Sequence, residues 1–154
     1  MFDLIKSDYK AATKRNISVT GLFAYLYNPS LTFSFLVRTQ FYLRRKGTVL
    51  AVLSVIFNRL IMFLFGCHVS SQAEFGEALY FPHPTGIVIG IDVVVGKNCT
   101  IFQNVTLGAR NIVGTKYPNI GDGCILYAGA VVAGDITIRE NVVVAANQVI
   151  IGEN

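Results

Sequence analysis

Residues 69–105 read VSSQAEFGEALYFPHPTGIVIGIDVVVGKNCTIFQNV, and within them Val69, Phe75, Phe81, Ile87, Val93, Cys99 and Val105 fall six apart without a miss. The ladder resumes at Ile120, Leu126, Val132, Ile138, Val144 and Ile150, again six apart. Every rung is apolar, with Cys99 counting as a small buried hydrophobe. So long a run is not chance, even in a chain that is 53% hydrophobic. A period of six fits neither a 3.6-residue helical face nor strict strand alternation. It is the pattern of a solenoid whose short strands turn a corner and stack on the coil below. The sequence therefore predicts a mainly β protein, a parallel β-prism.

Three hexads closing one triangular coil take about 18 residues and rise roughly 4.8 Å. On that count residues 69–86 form coil one, 87–104 coil two and 132–149 coil four, with coil three interrupted. The small or polar residues between rungs (Gly76, Gly90, Gly96, Asn98, Gly121, Asp122, Gly123, Gly134, Asn141) suit corners, where positive φ is often needed. From Val105 to Ile120 is fifteen residues where six would do, so nine leave the prism. The loop at 109–119, ARNIVGTKYPN, is read as an excursion, with Gly114 and Tyr117-Pro118 suiting a projecting arm. Long loops on rigid scaffolds are commonly functional.

Ahead of the repeat, residues 1–66 form a helical segment and 67–154 the prism domain. A helix is expected over Asp3–Lys14. A second starts at Asn28-Pro29-Ser30 and runs to about Lys46, and a third spans Thr48 to Phe65, ended by Gly66. The last is long enough to cross a membrane, but Asn58 and Arg59 sit in its middle, where arginine is costly. The leading expectation is a helix buried against its neighbours or a partner copy. Peripheral membrane contact through 28–66, aided by Arg38, Arg44, Arg45 and Lys46, stands behind it.

Charge divides the same way. Residues 1–66 hold nine Lys/Arg against two Asp, and residues 67–154 four against seven acids. The basic half lacks the interleaved aromatics of a nucleic-acid surface, so none is expected as partner. Cys67, Cys99 and Cys124 are odd in number and show no metal-ligand spacing, so no metal is expected and a reducing cytoplasm is the expected setting. The opening MFDLIKSDYKAATKRN mixes charges and has no apolar core, unlike a signal peptide.

Only two histidines exist, His68 and His83. An isolated histidine is usually an inert surface group, but the residues around His83 change that. From Val69 onward the chain resembles the hexapeptide-repeat acyltransferases, and most closely the serine acetyltransferase family. The matching stretches are HPTGIVIG (83–90), NCTIFQNVTLGARN (98–111), YPNIGDGC (117–124), LYAGAVVAGDITI (126–138) and VVAANQVI (143–150). The resemblance implies a left-handed β-helix, a homotrimer, acetyl-CoA as donor and His83 as general base, without metal. It also implies small residues under the pantetheine arm, matched by Ala128, Gly129 and Ala146, and a tail beyond Asn154 that closes the CoA site. Chemistry agrees. Acetyl transfer to an alcohol needs the O–H proton removed as oxygen attacks the thioester, and a neutral imidazole does this. A corner N–H, with Gly108 the first candidate, could hold the developing oxyanion.

The departures from the family bear on the acceptor. His68 stands where the family orients its base with an acid, so at most it is a neutral hydrogen-bond partner. Pro82 replaces an aspartate before the base. Lys116-Tyr117 replaces an Arg-His pair that holds serine, and lysine lacks the planar fork. A site without partners for an amino acid's charges should bind it poorly. The chain also resembles short acetyltransferases of bacterial capsule and exopolysaccharide pathways. The favoured acceptor is therefore a sugar or polysaccharide hydroxyl, with serine as the alternative and a non-catalytic trimeric scaffold as a third reading.

Overall fold

The computed structural model describes residues 1–18, 21, 23–111 and 116–152. Gly114 and Asn154, named above, lie outside them. Among the described residues four helices precede the repeat: α1 (Phe2–Thr13), α2 (Ala24–Tyr27), α3 (Pro29–Arg45) and α4 (Thr48–Phe65). The start signal at Asn28 works as a cap. Its side chain accepts from the Ser30 and Leu31 amides, satisfying two orphan N–H groups, and Pro29 follows where a missing N–H costs nothing. Gly66, at φ +61, ends α4 in the left-handed conformation that glycine adopts freely. The four-residue α2 has no sequence signal of its own.

Twelve strands of two or three residues follow among the described residues: β1 (His68–Val69), β2 (Glu74–Phe75), β3 (Val88–Ile89), β4 (Val94–Val95), β5 (Thr100–Ile101), β6 (Thr106–Gly108), β7 (Asn119–Ile120), β8 (Ile125–Leu126), β9 (Val131–Ala133), β10 (Thr137–Ile138), β11 (Val143–Val144) and β12 (Val149–Ile151). They pair only in parallel, as three sheets: β1-β3-β6-β9-β12, β10-β7-β4-β2 and β11-β8-β5. These are the first, second and third faces of a prism, and a Tyr80–Thr100 bridge extends the third. Val69, Ile89, Leu107, Val132 and Ile150 stack in one column down the first face.

That column corrects the register. Twenty residues separate Val69 from Ile89, and eighteen separate Ile89 from Leu107. Ile87, Val93, Cys99 and Val105 are therefore not the partners of Val69, Phe75 and Phe81. They belong to a second inward row two residues earlier, and these members of both rows are buried, with Ile87 and Ile89 each at 0% exposure. A period count cannot tell two buried rows apart. Coil one thus has two extra residues, and Leu107 to Ile120 leaves seven for the excursion, not nine.

The helical segment forms a collar that caps the open end of the prism. Arg38 and Asp8, each only 2% exposed, pair at 2.8 Å in the core. Arg38 also donates to the Phe75 and Gly76 carbonyls, and Asp8 accepts the Leu79 amide. Gln40 and Asn58 both donate to the Val69 carbonyl at 2.8 Å. First-coil backbone groups, which have no coil above them, are thereby satisfied by side chains from α1, α3 and α4. Burial pushes the Asp8 carboxyl above its ordinary value, with Arg38 and the Leu79 amide pulling the other way.

Candidate active site

Two corners carry the chemistry-bearing residues. At the corner between the third and first faces, the Asn104 amide donates to Thr85, the Gly129 amide to Gln103 and the Asn147 amide to Ala128. Those bonds align Thr85, Gln103, Ala128 and Ala146 in one vertical line. From Phe81 to Thr85 is four residues where the later coils use two, so the insertion falls within Pro82–Pro84. His83 is thus part of a two-residue bulge pushed out from the prism wall. It is exposed, while Pro84 behind it is buried. Its carbonyl accepts the Thr85 amide at 2.8 Å. Two flanking prolines fix φ on either side of it, so the bulge is held stiffly.

Below His83 on the same edge lie Phe102 and Tyr127, their rings stacked at 5.0 Å, with Phe102 at 6.4 Å from the imidazole. The sequence reading missed this aromatic pair, although Phe102 and Tyr127 each follow an inward rung at the same hexad position. Ala128, Gly129 and Ala146 continue the line. Gly129 has its own structural reason: φ is +73, and a Cβ there would run into Asn147 Oδ1. The larger clefts lie elsewhere. One of about 440 Å³ sits between α1 and the prism, lined by Ser7, Lys10, Lys14 and Asn98.

Gly108, Lys116 and Tyr117 lie at the next corner, between the first and second faces. One coil side, a hexad of extended chain, therefore lies between them and the corner that carries His83. Lys116 pairs with Asp135 at 2.5 Å, and Arg110 donates to the Gly152 carbonyl, so both feet of the excursion are tied to the lower coils. The Tyr117 ring lies over Gly90, where a Cβ would come within 2.5 Å of Cε1. Gly90→Ala is therefore expected to cost about 1–3 kcal/mol through overpacking. In a Tyr117→Ala background the same change should cost little, as a double-mutant cycle by urea unfolding would measure. A Cβ on Gly108 would meet no atom within 4 Å, so packing inside the chain does not demand glycine there.

His68 starts β1 and lines a shallow cleft with Ser54, Asn58, Arg59 and Ser71. No hydrogen bond joins it to His83 among the described residues. Pro82 is part of the bulge and shapes its path. The thiols take no part: burial raises Cys67 and Cys124, and pushes Cys99 up to about 11. No group of three or more His, Cys, Asp or Glu that could hold a metal occurs among the described residues.

The stacked triangular coils make the chain a left-handed parallel β-helix of the hexapeptide-repeat class, as in its structural neighbours. Within that class the likeness is to serine acetyltransferases. The chain is 36% identical over 119 residues to serine acetyltransferase of Staphylococcus xylosus, covering 77% of this chain and 53% of that protein. It is 33% identical over 141 residues to the enzyme of Staphylococcus aureus strain N315, covering 91% and 63%. It thus spans little more than half to five-eighths of these relatives. Neisseria gonorrhoeae serine acetyltransferase superposes with a TM-score of 0.83 at 28% identity, over 95% of this chain and 57% of that one. A serine acetyltransferase in complex with CoA gives 0.80 at 26% identity, over 96% and 60%. No family model matches the chain.

These likenesses overturn the sugar reading and its capsule and polysaccharide setting. The departures at His68, Pro82 and Lys116-Tyr117 are lost contacts, and a lost contact names no other acceptor.

Proposed function

We propose that this chain carries the acetyl-transfer centre of a serine O-acetyltransferase, with acetyl-CoA as donor and His83 as base. The supporting observation is the bulge, which sets an exposed, stiffly held imidazole on the edge that also bears Ala128, Gly129 and Ala146. Their small side chains leave room for a thin pantetheine arm along that edge. The imidazole takes the serine hydroxyl proton as the oxygen forms its bond to the thioester carbonyl carbon. The carbon–sulfur bond then breaks, and the proton passes to the departing sulfur, giving O-acetylserine and CoA.

Two corners about a coil side apart become one site when prisms pack side by side, the histidine corner of one against the loop corner of the next. A homotrimer closes this arrangement with three identical sites. Exposed Val88, Val149 and Ile151 on the first face suit burial by a copy. Gly108 of the loop corner then offers bare backbone to a ligand or a copy. Lys116 can serve the serine carboxylate, because its pair with Asp135 is exposed and such pairs are worth about 0–1 kcal/mol.

Acetyl-CoA and L-serine incubated with the purified chain should release CoA thiol and O-acetylserine in equal amounts. Thiol release with sugars or water but not with serine would overturn the acceptor assignment.

A further inference from the structure

Helix α4 is built inside out. The side chains it turns toward the protein are Ala51, Ser54, Phe57, Asn58, Ile61 and Phe65, one stripe of the helix. Half of these are small or polar. Its outward arc carries Val49, Leu50, Val52, Leu53, Val55, Ile56, Leu60, Met62, Phe63 and Leu64, with Val49 at 80%, Val52 at 65% and Phe63 at 85% exposure. Only Arg59 interrupts that arc. The expectation of a buried helix therefore fails within one chain: the arc lies open over 18 residues, about 27 Å of helix. Small residues facing α3 and large apolar ones facing out is the arrangement of a helix whose outer solvent is hydrocarbon.

Charge decides the occupant. From Pro29 to Gly66 there is no acidic residue, while Arg44, Arg45, Lys46 and Arg59 are all exposed. Lys46 lies over the Tyr42 ring and Arg45 over Phe41, so cations and aromatics share the turn that leads into α4. Arg45 pairs at the surface with Glu74 at 3.2 Å, and docking a second copy on this arc would still bring Arg44, Lys46 and Arg59 against like charge. An anionic bilayer opposes them. A full span is excluded by the inner stripe, because Asn58 is bonded to the Val69 carbonyl and Ile61 is packed in the core.

We propose that α4 docks flat on an anionic lipid surface, its apolar arc among the upper acyl chains and Arg44, Arg45, Lys46 and Arg59 at the headgroups. The proposed lipid-facing arc uses none of the residues assigned to acetyl transfer, although α4 ends against that edge, where the Phe65 carbonyl accepts the Gly86 amide.

Because the chain has no tryptophan, Phe63→Trp gives a single reporter. Its emission should shift to the blue with vesicles of phosphatidylcholine and phosphatidylglycerol, and not with phosphatidylcholine alone. The wild-type chain should float with the anionic vesicles. Val52→Glu/Phe63→Glu should abolish flotation with circular dichroism unchanged, both positions being exposed. Each of Arg44, Arg45 and Lys46 changed to Gln should weaken partitioning about fivefold. Failure to float, flotation indifferent to the Glu pair, or resistance to carbonate extraction would each overturn the proposal. A lipid-free assembly that the Glu pair dissociates would also overturn it, by showing a second copy on the arc.

Discussion

Replacing His83 with alanine is expected to lower kcat for serine acetylation by about 10²–10⁴-fold, the usual contribution of a positioned general base. The KM for acetyl-CoA should barely move, because the imidazole meets the acceptor proton and not the body of the donor. His83→Asn should fall as far, since an amide fills the same space without accepting the proton. Thermal unfolding should be nearly unchanged in both variants, the side chain being exposed, with only the Phe102 ring beside it. Steady-state kinetics by thiol release checks all of this. Residual kcat within about tenfold of wild type would remove the base from His83.

Arg38→Met is expected to be the most destabilising single change in the collar. It leaves the Asp8 carboxylate buried without a partner and strips donors from the Phe75 and Gly76 carbonyls. Breaking a buried pair from one side costs about 3–5 kcal/mol. In a chain of this size that should lower Tm by roughly 10 °C or more. Asp8→Leu/Arg38→Met should recover part of the loss, because no unpaired charge remains. Full recovery is not expected, since the Leu79 amide would still lack the acceptor it has now. Urea unfolding of the three proteins measures both terms. A loss under about 1 kcal/mol for Arg38→Met would mean that the pair does not hold the collar to the first coil.

Much of this fold was legible because hexad rungs and helix caps are local signals. Asn28-Pro29 and Gly66 mark helix ends by their own conformational chemistry, and the structure ends the helices there. The register error around Ile87 has an equally physical origin. Each coil buries two rows of side chains, so an apolar ladder can change rows at an insertion without missing a step. That hidden step coincides with Pro82–Pro84, so the one irregularity invisible to the period is the feature that projects His83. The Asp8–Arg38 pair was not legible, because thirty residues separate partners that only the collar's packing brings together. Nor was the outward arc of α4, since a continuous apolar run does not say which side meets the protein. The acceptor was misread because substitutions at recognition positions were weighed as evidence for another substrate.

The most direct measurement is a crystal structure of the chain with CoA and serine bound. The CoA sulfur should lie beside His83 of one prism, the arm running past Ala128 and Ala146, and the serine hydroxyl within about 2.6–3.2 Å of the imidazole. CoA seated instead in the cleft between α1 and the prism, or along an edge that lacks His83, would contradict it.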